Sequence, residues 1–208
     1  MSDYPLILFA KVPYSGKVKT RLSPELSLKE AAEVAKVLLT ETLQLTLEHW
    51  PGKVVLAVWP DAKDTFIQSL IEQFEIELII QSAGDLGMKM FNAMEQVGYP
   101  CAVMGCDVPH LATKELHKAH ALLVKKDNII GPTEDGGYYL LGLQSRQPEL
   151  FKKQAWGATT VLESSLRVAA QQHFQLNQLV TMVDIDHYVD LVKASSELES
   201  LKRFICEP

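Results

Sequence analysis

One aspartate stands where a buried strand would stop and a ligand would begin. Asp107 follows the apolar run CAVMG and precedes Val108-Pro109, so its carboxylate is expected to emerge from the tip of a central strand. A hard oxygen ligand in that position can hold Mg2+ or Mn2+ between protein and diphosphate, a usual need of nucleotide-handling sites. The competing reading is a turn or helix cap ahead of His110-Leu111. A second feature lies upstream, where Lys11, Lys17, Lys19 and Arg21 surround Gly16 within KVPYSGKVKTR. Such a loop suits phosphate, because glycine lets the backbone come close while Lys and Arg supply charge-assisted donors. It has neither the GxxxxGK[ST] spacing of a Walker loop nor the glycines of a dinucleotide fingerprint, and ordinary solvated lysines are its structural alternative.

Three further stretches carry chemistry. In QSAGDLGMKM, Gly84, Asp85 and Gly87 precede a helix, where backbone amides could meet a base, ribose or phosphate; plain turn and helix-start roles fit them equally. In GPTEDGGYYLLGL, Gly136 and Gly137 allow a tight backbone that leaves Glu134 and Asp135 at the edge of a site, as a general base or as partners of substrate hydroxyls. Asp-Gly is also a strong hairpin signal, and the two readings are compatible. In VDIDHYVDL, Asp184 and Asp186 lie two apart at an expected strand end, on the same side if the strand persists; Asp186 could complete a metal site or cap the final helix. His117 and His120 share a helical face without a nearby acid and are left out as metal ligands. Trp156-Gly157 is read as core or lid, with an acceptor pocket as the alternative.

These loops need strands and helices to hold them. PLILFA suits a buried first strand. Ser27 with Glu30 resembles a capping box ahead of Ala31, Val34, Ala35, Leu38, Leu39 and Leu43, whose spacing marks one helical face. KVVLAVWP, EIELIIQ, CAVMGCD, NIIGPT and YYLLGL read as strands, with a last one ending near VTMVDI. Helices are expected over 64–74, 87–97, from Thr113 as cap to about 125, over 158–173 and over 187–203. The alternation implies a three-layer α/β/α architecture around a mostly parallel sheet, since parallel strands need crossovers. In open α/β sheets ligands sit outside the carboxyl ends of strands, where all these loops would lie.

Length and composition set limits. With 208 residues and 47% hydrophobic side chains, one domain over 1–208 can bury a core without disulfides or structural metal. A net charge of -6, from 20 basic and 26 acidic residues, argues against broad electrostatic capture of nucleic acid. The three cysteines fit no zinc or redox spacing, and Cys101 and Cys106 should face opposite sides of their strand. No apolar run suits a membrane span or a secretory leader, so a cytoplasmic location is expected.

Through FAKVPYSGKVKTRL, QSAGDLGMKM, GCDVPHL, GPTEDGGYYLLGL, WGATTVLESSL and DIDHYVDL, nearly its whole length, the chain resembles the bacterial glycosyltransferase-like family of the nucleotide-diphospho-sugar transferase superfamily. The resemblance implies a Rossmann-like, glycosyltransferase-A fold, with nucleotide over the N-terminal half and a small-molecule acceptor over the C-terminal half. Asp107 matches the acidic metal-binding position after the central strand. Position 105 is Gly105, so GCDVP is not a full DxD, and Asp186 is where similar proteins supply the missing carboxylate.

Two chemistries belong to this superfamily. Glycosyltransferases use a nucleotide-sugar donor, with an acid such as Asp135 deprotonating the acceptor in inverting cases, and the family label favours this activity. Nucleotidyltransferases join an NTP to a small phosphorylated acceptor through a basic first loop, as Lys11, Lys19 and Arg21 suggest, without a protein nucleophile; the loop resembles that of guanylyltransferases acting on small phosphorylated acids. A non-catalytic nucleotide sensor is the third reading. Retaining cations and carboxylates together weighs against it, because they are costly without a ligand to neutralise them.

Overall fold

The structure is a computed structural model and describes residues 4–152 and 154–205; Cys206, the third cysteine, lies outside them. Thirteen strands and helices follow one another among the described residues. They are β1 (Leu6–Lys11), α1 (Leu28–His49), β2 (Val54–Trp59), α2 (Thr65–Phe74), β3 (Glu77–Ile80), α3 (Leu86–Val97), β4 (Cys101–Gly105), α4 (Thr113–Val124), β5 (Ile129–Pro132), β6 (Tyr138–Leu143), α5 (Val161–Gln171), β7 (Asn177–Gln178) and α6 (Tyr188–Ala194). The sheet has seven strands in the order β3-β2-β1-β4-β6-β5-β7. β6 runs antiparallel to both neighbours, and the other pairings are parallel. The carboxyl ends of β1, β2, β3, β4, β5 and β7 therefore share one edge, and the loops expected to do chemistry all leave from it.

Alternation along the strands builds the outer layers. Leu6, Leu8, Leu56, Ala102 and Met104 pack on one face with Leu39, Leu43, Ile67, Leu70, Leu116 and Leu123 of α1, α2 and α4. Ile7, Val55, Val103, Ile130 and Leu141 pack on the other with Met90 and Met94 of α3 and Ala169 of α5. Cys101 joins the second cluster and Cys106 the first, so they do face opposite sides. A third cluster, formed by Leu22, Leu26, Val34 and Leu38 against Ile185, Leu191 and Leu201, ties the chain after the basic loop to the C-terminal segment. Those two stretches are far apart in sequence, and burial of their apolar side chains brings the basic loop beside the late aspartates.

Local chemistry fixes the helix ends. Ser27 Oγ accepts from Glu30 N, and Glu30 Oε2 accepts from Ser27 N, closing the expected capping box. Asp64 and Asp85 cap α2 and α3 by accepting backbone N–H groups of the first turns.

Three expectations are corrected. Thr113 is the first residue of α4; Ala112 holds the cap position and makes no side-chain cap. The last strand is only Asn177–Gln178, with an isolated bridge at Met182, so Asp184 and Asp186 sit on irregular chain in which Asp186 N donates to Asp184 O. The final helix stops at Ala194 and a 3-10 turn follows over Glu199–Phe204. Ser195 and Ser196 turn their hydroxyls back onto the carbonyls of Val192 and Lys193, a local bond that competes with helix continuation.

Candidate active site

Lys19 lies at the centre of the site. It is a non-glycine residue in the left-handed region (φ 47, ψ 34), just ahead of the 3-10 turn Thr20–Leu22 whose Leu22 is buried. For an ordinary side chain that conformation is costly and is kept only when surroundings fix it. Here the surroundings are acidic. Lys19 Nζ is 2.7 Å from Asp107 Oδ1, 3.0 Å from Asp186 Oδ1 and 2.7 Å from the carbonyl oxygen of Ile185. Only 8% of its side chain is exposed. Burial lowers the pKa of this ammonium, yet the charges of Asp107 and Asp186 and their hydrogen bonds outweigh it, and the net shift is upward. For Asp186, burial pushes upward but Lys19 and Arg21 pull harder, so its carboxyl titrates below the usual value.

Backbone and side chain together set the two carboxylates. Asp107 stands two residues past the end of β4, its carbonyl accepting from Ile185 N at 3.0 Å, and its side chain is half exposed. Asp186 Oδ2 accepts from Arg21 Nη1 at 2.9 Å. His187, not Asp186, holds the cap position of α6, with Asp190 accepting from its N–H, which leaves Asp186 to the cations.

Two cavities meet at Asp107. The larger, about 590 Å3, is lined by Lys11, Lys17, Lys19, Lys89, Trp59, Gln81, Asp107 and Asp186. Lys11 Nζ donates to the carbonyl of Lys17 at 2.7 Å, and Lys89 Nζ lies 3.6 Å above the Trp59 ring. Among the described residues no carboxylate pairs with Lys11, Lys17 or Lys89. Burial, and after it the neighbouring charge of Lys11, lowers the Lys89 pKa. The smaller cavity, about 220 Å3, runs from Asp107 over Phe9, Met90, Tyr138 and Trp156 to Asp135, Gly137 and Asp184. Burial, then the charges of Asp135 and Asp186, push the Asp184 carboxyl up to about 6. Asp135 Oδ1 accepts from Thr133 Oγ1 (2.6 Å) and Gly137 N (2.9 Å), which fixes its orientation.

Of the residues singled out from sequence, Lys11, Lys17, Lys19, Asp107, Asp135, Gly137, Trp156, Gly157, Asp184 and Asp186 line one or other cavity. Others hold the frame. Gly16 (φ 73) and Gly84 (φ 118) turn the chain, Arg21 binds Asp186, and Asp85 uses Oδ1 to accept from Met88 N. A Cβ on Gly87 would lie 2.4 Å from Trp156 Cζ2, and one on Gly136 1.9 Å from the Thr159 carbonyl oxygen, so close packing requires glycine at both positions. Glu134 is exposed, and its N–H donates to Met182 O. Trp59, Gln81, Lys89 and Tyr138 were not anticipated. Gln81 directly follows β3, and its amide donates to the carbonyls of Ala10 (3.0 Å) and Ala57 (2.9 Å), joining three strand ends.

The donor set can be tested for a divalent cation. Asp107 and Asp186 offer hard oxygens and already share one positive charge. Asp135 and Asp184 add negative charge beside them. Among the described residues no three His, Cys, Asp or Glu side chains converge on one point. Two carboxylates leave the remaining positions to phosphate oxygens and water, which fits Mg2+ or Mn2+.

Comparison with known proteins agrees on the fold. The chain is 24% identical over 186 residues to 2-phospho-L-lactate guanylyltransferase of Methanosarcina mazei, covering 88% of this chain and 84% of that one. A protein of Desulfovibrio desulfuricans G20, provisionally assigned as a nucleotide-diphospho-sugar transferase, superposes over 100% of both chains with a TM-score of 0.82 and 24% identity. Rv0371c of Mycobacterium tuberculosis H37Rv, solved in complex with manganese, gives a TM-score of 0.57 at 10% identity over 95% of this chain and 100% of that one. The expected nucleotide-diphospho-sugar transferase fold is therefore found, and no helix among the described residues is long and apolar enough to cross a membrane. The family model described as "Uncharacterized protein conserved in bacteria (DUF2064)" matches residues 42–158, which include Asp107 and Asp135 but not the basic loop, and the chain belongs to that family.

Proposed function

We propose that this protein is a metal-dependent nucleotidyltransferase that joins an NTP to a small phosphorylated acceptor and releases pyrophosphate. One observation carries the reading: Lys11, Lys17 and Lys89 line a cavity beside Asp107 and have no carboxylate partner among the described residues. Exposed Lys11 and Lys17 and part-buried Lys89, placed together around one cavity, call for an anion of high charge, and a triphosphate carries more than the diphosphate of a sugar nucleotide. The likeness to a guanylyltransferase over most of the chain supports the same choice.

In this reading an acceptor phosphate oxygen attacks the α-phosphorus, the bond from that phosphorus to the bridging oxygen of the β-phosphate breaks, and pyrophosphate leaves. The acceptor oxygen is already anionic, so no protein nucleophile or base is needed. Lys11, Lys17 and Lys89 hold the β- and γ-phosphates and stabilise the charge that grows on the leaving group. Asp107 and Asp186 would hold Mg2+ or Mn2+, which would supply neutralisation of the phosphate oxygens. The small cavity takes the acceptor, with the Phe9, Tyr138 and Trp156 rings against its carbon skeleton and Asp135 positioning its polar groups.

Glycosyl transfer from a nucleotide sugar, favoured by the family label alone, is the second reading. Asp135 beside Asp184 is the observation on its side, since a carboxylate there could deprotonate an acceptor hydroxyl. Incubation with NTPs or nucleotide sugars, metal and a panel of small acceptors separates the two. Pyrophosphate release supports nucleotidyl transfer. Nucleoside diphosphate release selects glycosyl transfer, and saturable binding without turnover selects a sensor.

A further inference from the structure

The three acceptors around Lys19 Nζ account for all the hydrogen-bond donors an ammonium has. That group sits in the gap between Asp107 and Asp186, within 3.0 Å of an oxygen of each. A divalent ion bound to both carboxylates would need their oxygens closer still, at about 2.0–2.1 Å for Mg2+, in the same gap, and two cations cannot share it. We propose that Lys19 is a built-in competitor of the metal, which enters together with the nucleotide because the triphosphate gives the displaced ammonium new acceptors. This rests on the metal and triphosphate reading above.

Several features of the site support an exchange. Arg21 holds the other oxygen of Asp186, so that carboxylate stays in place when Lys19 leaves. Lys19 also lines the phosphate cavity with Lys11 and Lys17, which gives the ammonium somewhere to turn without the chain unfolding. With the cavity empty of anion, leaving Asp107 and Asp186 would strand a buried charge beside other cations, which is strongly unfavourable. With a triphosphate present the same movement trades two carboxylates for phosphate oxygens. Metal and triphosphate thus bind with positive coupling, and Lys19 carries it.

The test uses the full chain and Mn2+ alone, counted by the electron paramagnetic resonance signal of free Mn2+. Wild type should bind bare Mn2+ weakly, and Lys19→Met should bind it on the order of tenfold more tightly, since the competing charge is gone. Inorganic tripolyphosphate, added at fixed free Mn2+, should raise Mn2+ occupancy in wild type and do so much less in Lys19→Met. Lys19→Gln repeats the neutral substitution in case Met does not fold, and the wild-type coupling decides alone if neither does. Equal or weaker Mn2+ binding by a folded neutral variant, absence of Mn2+ binding in every protein, or absence of coupling in wild type each overturns the proposal. Nucleotidyl transfer is read separately by pyrophosphate release, so a protein that shows the exchange but releases no pyrophosphate keeps this inference and loses that activity.

Discussion

Charge at single residues divides the site into two jobs. Lys19 and Arg21 are spent on Asp107 and Asp186, whereas Lys11 and Lys89 face the large cavity with no acidic partner among the described residues. Alanine at Lys11 or Lys89 should therefore weaken triphosphate binding by about 1.5–3 kcal/mol, the worth of a charge-assisted hydrogen bond, and should affect monophosphate much less. Calorimetric titration with both ligands checks this; equal losses would mean that these lysines do not reach the distal phosphates. Asp107→Asn should remove metal-dependent nucleotide binding while circular dichroism stays unchanged. The cysteines serve as a control for the protein interior: burial pushes Cys101 up to about 12 and Cys106 well above the usual thiol range. Thiols so shifted hold almost no thiolate at pH 8, so iodoacetamide followed by peptide mass mapping should leave both unmodified in the native protein.

Helices, strands and turns place those charges, and their sequence signals differ in how local they are. The Ser27/Glu30 box, the strand that delivers Asp107 and the turn that carries Asp135 are local signals, written in residues three or four apart, and each has its expected form. Ser27→Ala should lower stability by about 1 kcal/mol in urea denaturation. The C-terminal stretch was harder, because VTMVDI looks like a full strand while only Asn177–Gln178 pair with β5; competition for the sheet edge is a tertiary matter that periodicity does not contain. Gly136 was legible as a turn, but the approach of Thr159 that requires it was not. Ala at Gly136 must shift the 158–162 backbone, and its φ of 87 adds strain. A cost of roughly 1–3 kcal/mol is expected, with weaker acceptor binding, measured by thermal unfolding and by KM for the acceptor.

At the scale of the molecule, the sheet gathers its strand tips along one edge, and a separate apolar cluster draws the C-terminal segment against the chain after the basic loop. Asp186 reaches Lys19 across 167 residues of sequence, and no local pattern announces such a contact. The family resemblance indicated Asp186 as a partner of Asp107, but not that an ammonium bridges the two. Likewise Lys89, Trp59 and Gln81 come to the cavity because β2 ends beside β1 and β3 ends beside β2, which only the strand order reveals. Pyrophosphate is the product that distinguishes nucleotidyl transfer. Each common NTP should be incubated with Mg2+ and a panel of small phosphorylated acids, with pyrophosphate and the coupled product both quantified, for wild type and Asp107→Asn. The expected result is pyrophosphate formed one for one with a nucleotidylated acceptor, dependent on metal and lost in Asp107→Asn. Nucleoside diphosphate released from a sugar nucleotide instead, or undiminished turnover by Asp107→Asn, would contradict it.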